Sequence, residues 1–210
     1  MKLRILFLIF FISSIGLYGQ DTLEYKKFGY DKLSIGVSPS SLLNSIEAFQ
    51  MSVDFGLNSR VRLSSEIGYI FRSAFAKNSY GYRLRPSIEA LFYTADDFGF
   101  QIGGFCLIRN FTENRAIRVF HRERYYEYIP VMRSKKVFGI GGSLAIVSQF
   151  SEKIKLETGA GLGFGNLIIS DNKEVDNFFR NRFTLVPDIP GKYDFTIIFF
   201  NINFSYSIFE

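Results

Sequence analysis

Residues 154–166, IKLETGAGLGFGN, put Gly159, Gly161, Gly163 and Gly165 at every second position. Such a comb is either a phosphate-cradling loop or one face of a strand. A dinucleotide fingerprint requires G-x-G-x-x-G after a strand and opening a helix. Counting from Gly161 and Gly163, the third glycine falls on Asn166; counting from Gly139 and Gly141, it falls on Leu144. Neither stretch is followed by the GK[ST] of a phosphate loop. The strand reading fits: Leu156, Leu162 and Phe164 take one face, and Lys155, Glu157 and the four glycines take the other.

The same period of two, the signature of a strand with unlike faces, recurs along the chain. In AFQMSVDFG, Phe49, Met51, Val53 and Phe55 alternate with Ala48, Gln50, Ser52, Asp54 and Gly56. Val61, Leu63, Ile67, Tyr69 and Phe71 stand against Arg60, Arg62, Ser64, Glu66 and Gly68. Tyr82, Leu84, Ile88 and Phe92 oppose Gly81, Arg83, Arg85, Ser87 and Glu89. Stretches 98–109 and 137–148 alternate apolar with small residues, and a shorter strand starts at Leu33 with Ile35 and Val37. The last stretch sets Ile198, Phe200, Ile202, Phe204, Tyr206 and Ile208 against Phe199, Asn201, Asn203, Ser205 and Ser207. These make eight strands, most of about 9–12 residues, against the roughly 9–11 that a tilted strand needs to cross a bilayer.

Connections alternate too. Those at 57–60, 96–98 and 150–153 are short and polar, whereas 72–80, 110–135 and 171–194 are longer and 38–45 is intermediate. With an even strand number, all tight turns and both chain ends fall on one side. Short periplasmic turns, long outer loops and even strand numbers characterise outer-membrane barrels. The expected fold class is therefore all-β, an eight-stranded antiparallel transmembrane up-and-down β-barrel over 32–210.

The first residues, MKLRILFLIFFISSIGLYGQ, carry a basic start (Lys2, Arg4), an apolar run from Ile5 to Ile12 and small residues up to Gly19. This is the build of a secretory signal peptide at 1–20, leaving 21–31 as a short periplasmic lead. Its removal lowers the formal charge from +5 to +3, too little to argue for nucleic acid. One cysteine, Cys106, and one histidine, His121, exclude a disulfide framework and a His- or thiolate-based metal cluster within the chain. No cofactor is expected. Twenty-five Phe and 12 Tyr supply abundant apolar surface, yet beyond the first residues no apolar run approaches the length of a spanning helix.

A soluble barrel would turn its apolar face inward and cover the other with many Lys, Thr and Glu. Here the polar face is small, glycine-rich and sparsely charged, with Arg62, Glu66, Arg83, Arg85, Glu89, Lys155 and Glu157. Those charges form a lumen network, since unpaired buried charges are costly. The lumen of eight strands is just wide enough for side chains to fill, which argues against a pore. The glycine comb is expected to make room for Arg and Glu side chains of other strands. Pro86, which cannot donate to a ladder, marks a bulge or local distortion. Leu91, Tyr93, Phe105 and Leu107 fall on the inner face as a partly apolar plug.

The leader together with GYRLRPSIEALFY, ETGAGLGFGN and the terminal IIFFNINFSYSIFE resembles Gram-negative eight-stranded outer-membrane barrels of the OmpA/OmpX-like type, and more narrowly a family of such barrels with no assigned function. The resemblance spans roughly 32–210. It implies insertion by the barrel-assembly machinery, whose C-terminal signal the alternation of Phe204, Tyr206 and Ile208 is similar to; the final Glu210 departs from the usual terminal aromatic.

Exposed chemistry concentrates in 109–136, where Arg115, Arg118, Arg122, Arg124, Arg133, Lys135 and Lys136 are interleaved with Phe120, Tyr125, Tyr126 and Tyr128. Arginine forks suit phosphates, so lipopolysaccharide joins outer-membrane lipid as an expected partner, the alternative being a solvated loop or a hairpin extending the strands. His121 raises a second reading, a lipid A-modifying enzyme, although no nucleophile motif surrounds any Ser and only Glu123 lies beside it. A soluble periplasmic ligand-binding barrel is the third. Cys106 reads as a small outward-facing hydrophobe, and Asn110-Phe111-Thr112 as an accidental match to a glycosylation acceptor. The leading expectation is a structural or interaction protein, not an enzyme, presenting loops 110–135 and 171–194.

Overall fold

The computed structural model describes residues 28–42, 46–73, 78–120, 126–172 and 190–209, with backbone alone for 117–120, 126–127 and a few other strand-end positions. The leader at 1–20, most of the lead at 21–31, His121, Glu123, Arg122 and Arg124, most of loop 171–194 and Glu210 lie outside the described residues.

The alternating segments fold into eight strands: β1 (Leu33–Val37), β2 (Ile46–Gly56), β3 (Val61–Ser73), β4 (Ser79–Thr94), β5 (Phe98–Phe120), β6 (Tyr126–Gln149), β7 (Ile154–Asp171) and β8 (Gly191–Phe209). Each pairs antiparallel with its chain neighbour, and β1 pairs with both β2 and β8, so one sheet runs in a ring. A turn of 3-10 helix at Pro39–Leu42 follows β1. Both ends of the ring strands meet where Leu33 pairs with Phe209, on the same side as the three tight turns.

Exposure follows the period of two throughout. On β8, for example, Ile198, Phe200 and Tyr206 lie outside while Ile197, Asn201, Asn203, Ser205 and Ser207 are buried. Large apolar residues thus cover the outer surface, and polar, charged and glycine residues face the interior, as the alternation predicts.

Three expectations need correcting. The strands from β3 onward are longer than 9–12 residues, and β5 and β6 reach 23 and 24. Most of the expected loop 110–135 is strand: β5 and β6 stay paired from Phe98↔Ser148 to Phe120↔Tyr126. Among the described residues the strands on either side pair less far, β4 to Glu113 and β7 to Arg133. Among the described residues, 114–120 and 126–132 thus run past the last paired residues of β4 and β7 as a two-stranded ribbon, about 20 Å long at strand rise. This is the hairpin alternative to a loop: outward apolar residues give out there, from Ile108 to Asn110, Thr112 and Asn114, but the ladder needs only backbone groups.

Tyr93 is the second correction. It points outward, because a bulge shifts the β4–β5 register between Leu91 and Tyr93. At Pro86 no register shift occurs; the β4–β5 ladder runs from Leu84↔Ile108 to Ser87↔Phe105 with Arg85 and Pro86 unpaired on that side, and Pro86 stays opposite Ser65 of β3.

The third concerns the comb. Its glycines accommodate aromatic rings and the β6 backbone rather than Arg and Glu. A Cβ on Gly161 would run into the ring of Phe199, its cross-strand partner on β8. A Cβ on Gly141 would strike Phe105 Cζ as well as β7 backbone. Phe105 and Phe199 thus lie over glycines of adjoining strands and meet edge to face, with centroids 5.1 Å apart. They anchor an apolar cluster of Phe105, Leu107, Val137, Leu167, Ile169 and Ile197, the plug that Phe105 and Leu107 foretold. At Gly163 a Cβ would meet the Ile140 carbonyl and Gly141 Cα, backbone that cannot rotate away. Gly163→Val is expected to destabilise the fold by about 1–3 kcal/mol, read as a lower urea midpoint with the fold retained.

Candidate functional site

The interior is stratified along the strands. At the tight-turn end, residues that the sequence assigns to a lead enter the ring. Phe28 packs with Leu91 and Val147, Tyr30 N donates to Ser59 O at 3.0 Å, and Tyr30 Oη donates to Gln101 Oε1 at 2.7 Å. Lys155 Nζ donates to Gly29 O and Asp31 Oδ2, both at 2.6 Å, fixing this cap from β7. No pattern in 28–31 marks such a cap, because its apolar residues are too few to show a period.

One layer in, Arg62 of β3 is the hub. Its Nε donates to Glu89 Oε2 at 2.6 Å, its Nη2 bonds Glu157 Oε2 across the ring, and its Nη1 lies 3.7 Å from Asp54 Oδ2. Its Cζ also sits 4.7 Å from the Tyr30 ring centroid. Ser64 Oγ donates to Asp54 Oδ1 at 2.5 Å and Ser87 Oγ to Glu89 Oε1 at 2.7 Å. Three carboxylates from β2, β4 and β7 thus converge on one guanidinium, whose fork can serve several acceptors at once.

The next layer joins Arg85 Nη2 to Glu66 Oε1, Gln50 Nε2 to Glu66 Oε2, and Asn201 Nδ2 to Glu66 Oε1 at 2.9 Å. Arg85 Cζ lies 3.9 Å from the Phe199 centroid, so the salt-bridge layer rests on the aromatic plug. The cavity between them, lined by Arg85, Glu89, Phe105, Glu157, Phe199 and Asn201 among others, is about 10 Å³, room for a single water.

Arg62, Glu66, Arg85, Glu89 and Glu157 are thus brought into interior ion pairs, and Lys155 pairs with Asp31 of the cap. Arg83 faces inward too, opposite Gly68 and Arg109, and forms no ion pair among the described residues. The sequence reading missed Asp54, Gln50, Gln101 and Asn201 as partners, although Asp54 and Gln50 stand on the polar face of β2 and could have been added by parity.

The proposed anion-contact set divides. Arg133 is fully buried and donates through Nε and Nη2 to the two Asp171 oxygens, each at 2.7 Å. Lys135 Nζ lies 2.6 Å from Glu113 Oε1, and Arg115 Nη1 lies 3.7 Å from the same oxygen. These cations point into the far mouth of the ring rather than outward, because their odd-numbered positions continue the inward parity of β5 and β6. Lys136 is exposed on the outer face. The side chains of Arg118, Arg122 and Arg124 are outside the described residues. Cys106 is half-buried on the outward parity, as expected. Among the described residues, no three His, Cys, Asp or Glu side chains gather as a metal site.

The ion pairs and hydrogen bonds of these layers cross the ring and stitch distant strands together. No protein family, curated protein or solved structure matches this chain.

Proposed function

We propose that the chain is an outer-membrane β-barrel of structural or interaction type, anchored in lipid and holding the β5–β6 ribbon outside the bilayer. The observation that carries this reading is the inside-out distribution of polarity. Phe164, Ile198 and Phe200 are 69%, 68% and 72% exposed, and they belong to an outward apolar surface shared by all eight strands, while Arg62, Glu66, Arg85 and Glu157 are buried. A water-soluble protein rarely exposes contiguous apolar area beyond a few hundred Å². A hydrocarbon environment removes that difficulty, and a ringed sheet suits it because no backbone edge is left unpaired.

In this reading the apolar leader directs export, and the tight-turn end with its cap faces the periplasm. The strands beyond the apolar band carry the ladder into the outer space. Lipopolysaccharide phosphates remain the natural partner of outward basic side chains there. Among the described residues of the basic set that role now falls to Lys136, since Arg115, Arg133 and Lys135 are engaged with interior carboxylates. Insertion would depend on barrel-assembly machinery.

The test is heat modifiability of protein taken from carbonate-washed outer membranes. An unboiled sample is expected to migrate differently from a boiled one on a detergent gel, with the protein retained in the washed membrane. Release by carbonate together with no mobility shift would overturn the reading in favour of a soluble periplasmic barrel.

A further inference from the structure

Arg83 of β4 and Arg109 of β5 are direct cross-strand partners, and Arg109 stands opposite Val137 of the apolar cluster on its other side. Both occupy inward positions, Arg83 in series with Arg85 and Glu89, Arg109 in series with Leu107 and Phe111. Like charges directly opposite one another destabilise a sheet. Every other described interior cation has a carboxylate: Arg62 has three, Arg85 has Glu66, Arg115 and Lys135 have Glu113, Arg133 has Asp171 and Lys155 has Asp31. Arg83 and Arg109 have none among the described residues, and the Nε of each is buried with no hydrogen-bond acceptor.

Their surroundings offer no remedy from within. Glu66, the nearest inward carboxylate on β3, is already taken by Arg85, Gln50 and Asn201. Arg109 Cζ lies 5.6 Å from the Phe111 centroid, a cation–π contact that leaves the guanidinium N–H groups unserved. Across the β3–β4 ladder from Arg83 stands Gly68, where an added Cβ would meet nothing closer than 3.5 Å. A side chain added at Gly68 would thus make only ordinary contacts, one of them with Arg83 Cβ, and Arg83 and Arg109 are themselves only half-buried.

We propose that Arg83 and Arg109 form an interior site for a tetrahedral oxyanion, a phosphate or phosphate monoester, entering from the ribbon end of the ring. Two guanidinium forks present paired N–H donors from adjoining strands, and a dianion with several oxygens can engage both while cancelling their repulsion. The phosphate can be free in solution or carried on a lipid headgroup; the recognition chemistry is the same. The site does not depend on where the ring resides, because every group in it belongs to the interior.

The full chain folded in zwitterionic detergent at low ionic strength is titrated calorimetrically with inorganic phosphate and, separately, with dihexanoyl phosphatidic acid, chloride serving as the background anion. Saturable binding at one per chain is expected for at least one of them. Inorganic phosphate binding at least as well as the phosphatidic acid marks a free anion as the source; binding of the phosphatidic acid alone marks a lipid headgroup. Arg83→Met and Arg109→Met should each weaken binding roughly tenfold or more, the scale of a charge-assisted hydrogen bond. Gly68→Glu keeps both arginines and sets a carboxylate across from Arg83. It should abolish binding and raise the urea midpoint, and it decides the matter if either methionine variant does not fold. The proposal is overturned by no saturable binding of either probe, by binding that Gly68→Glu leaves intact, or by an equal loss on neutralising the outward Lys136 with Lys136→Gln.

Discussion

Phe200→Arg is expected to lower the stability of the folded chain in a bilayer by about 2–4 kcal/mol, the depth-dependent cost of an arginine on the lipid face of a barrel. Phe200, at 72%, is the most exposed large apolar side chain among the described residues and stands second in the outward series from Ile198 to Ile208 of β8. An exposed aromatic in water would tolerate arginine within about 0.5 kcal/mol and would gain solubility from it. The two environments therefore give well-separated results for one substitution. Asn114→Arg on the outward face of β5, in the ribbon beyond the ring, supplies the depth control and should change stability little. With no tryptophan in the chain, the folded fraction is best read from the unboiled gel band across a urea series. Equal, small effects at 200 and 114 would remove the membrane reading.

Removing the interior hub is the second large effect. Arg62→Met leaves Glu89 and Glu157, with Asp54 beside them, facing one another without a cation. Breaking a buried ion pair from one side costs about 3–5 kcal/mol, because the stranded charge remains in low dielectric. The variant should fold poorly or show a greatly reduced urea midpoint. The cause is charge rather than lost packing, and a triple variant separates the two. Arg62→Met combined with Glu89→Gln and Glu157→Gln removes the stranded charges, and it should regain more than half of the lost stability. A triple variant no better than Arg62→Met alone would mean that the hub acts by volume, not charge.

The architecture was legible because one face of each strand had to be apolar and the other polar. Phe49, Met51, Val53 and Phe55 on β2, or Ile198 to Ile208 on β8, fix a period of two that no helix could bury consistently. Parity then assigned Arg62, Glu66, Arg85, Glu89, Lys155 and Glu157 to one side, and all six are interior. The same parity carried on through 109–135 would have placed Arg133 and Lys135 inside. It was masked because that segment loses its outward apolar residues and so looked like a loop.

Strand ends, partners and fillings were not legible. A backbone ladder continues wherever two chains stay adjacent, whatever the side chains, so the length of β5 and β6 was decided by the pairing itself. Whether a glycine comb receives arginine or phenylalanine depends on the register that sets Phe199 opposite Gly161, and a local pattern carries no information about register across the ring. The cap at 28–31 likewise exists only because the closing ring offers Ser59, Gln101 and Lys155 at one end.

Apart from Tyr93, which the β4 bulge turns outward, the amino-acid sequence by itself determined which residues face in and which face out, since that follows from the two-residue repeat of each strand. Only the tertiary structure decided which interior charges meet: Arg62 and Glu157 come from strands far apart in the chain, and Arg83 and Arg109 are left facing each other. Pairing across a ring is set by the staggered registers of all eight strands together, a property that no single segment contains.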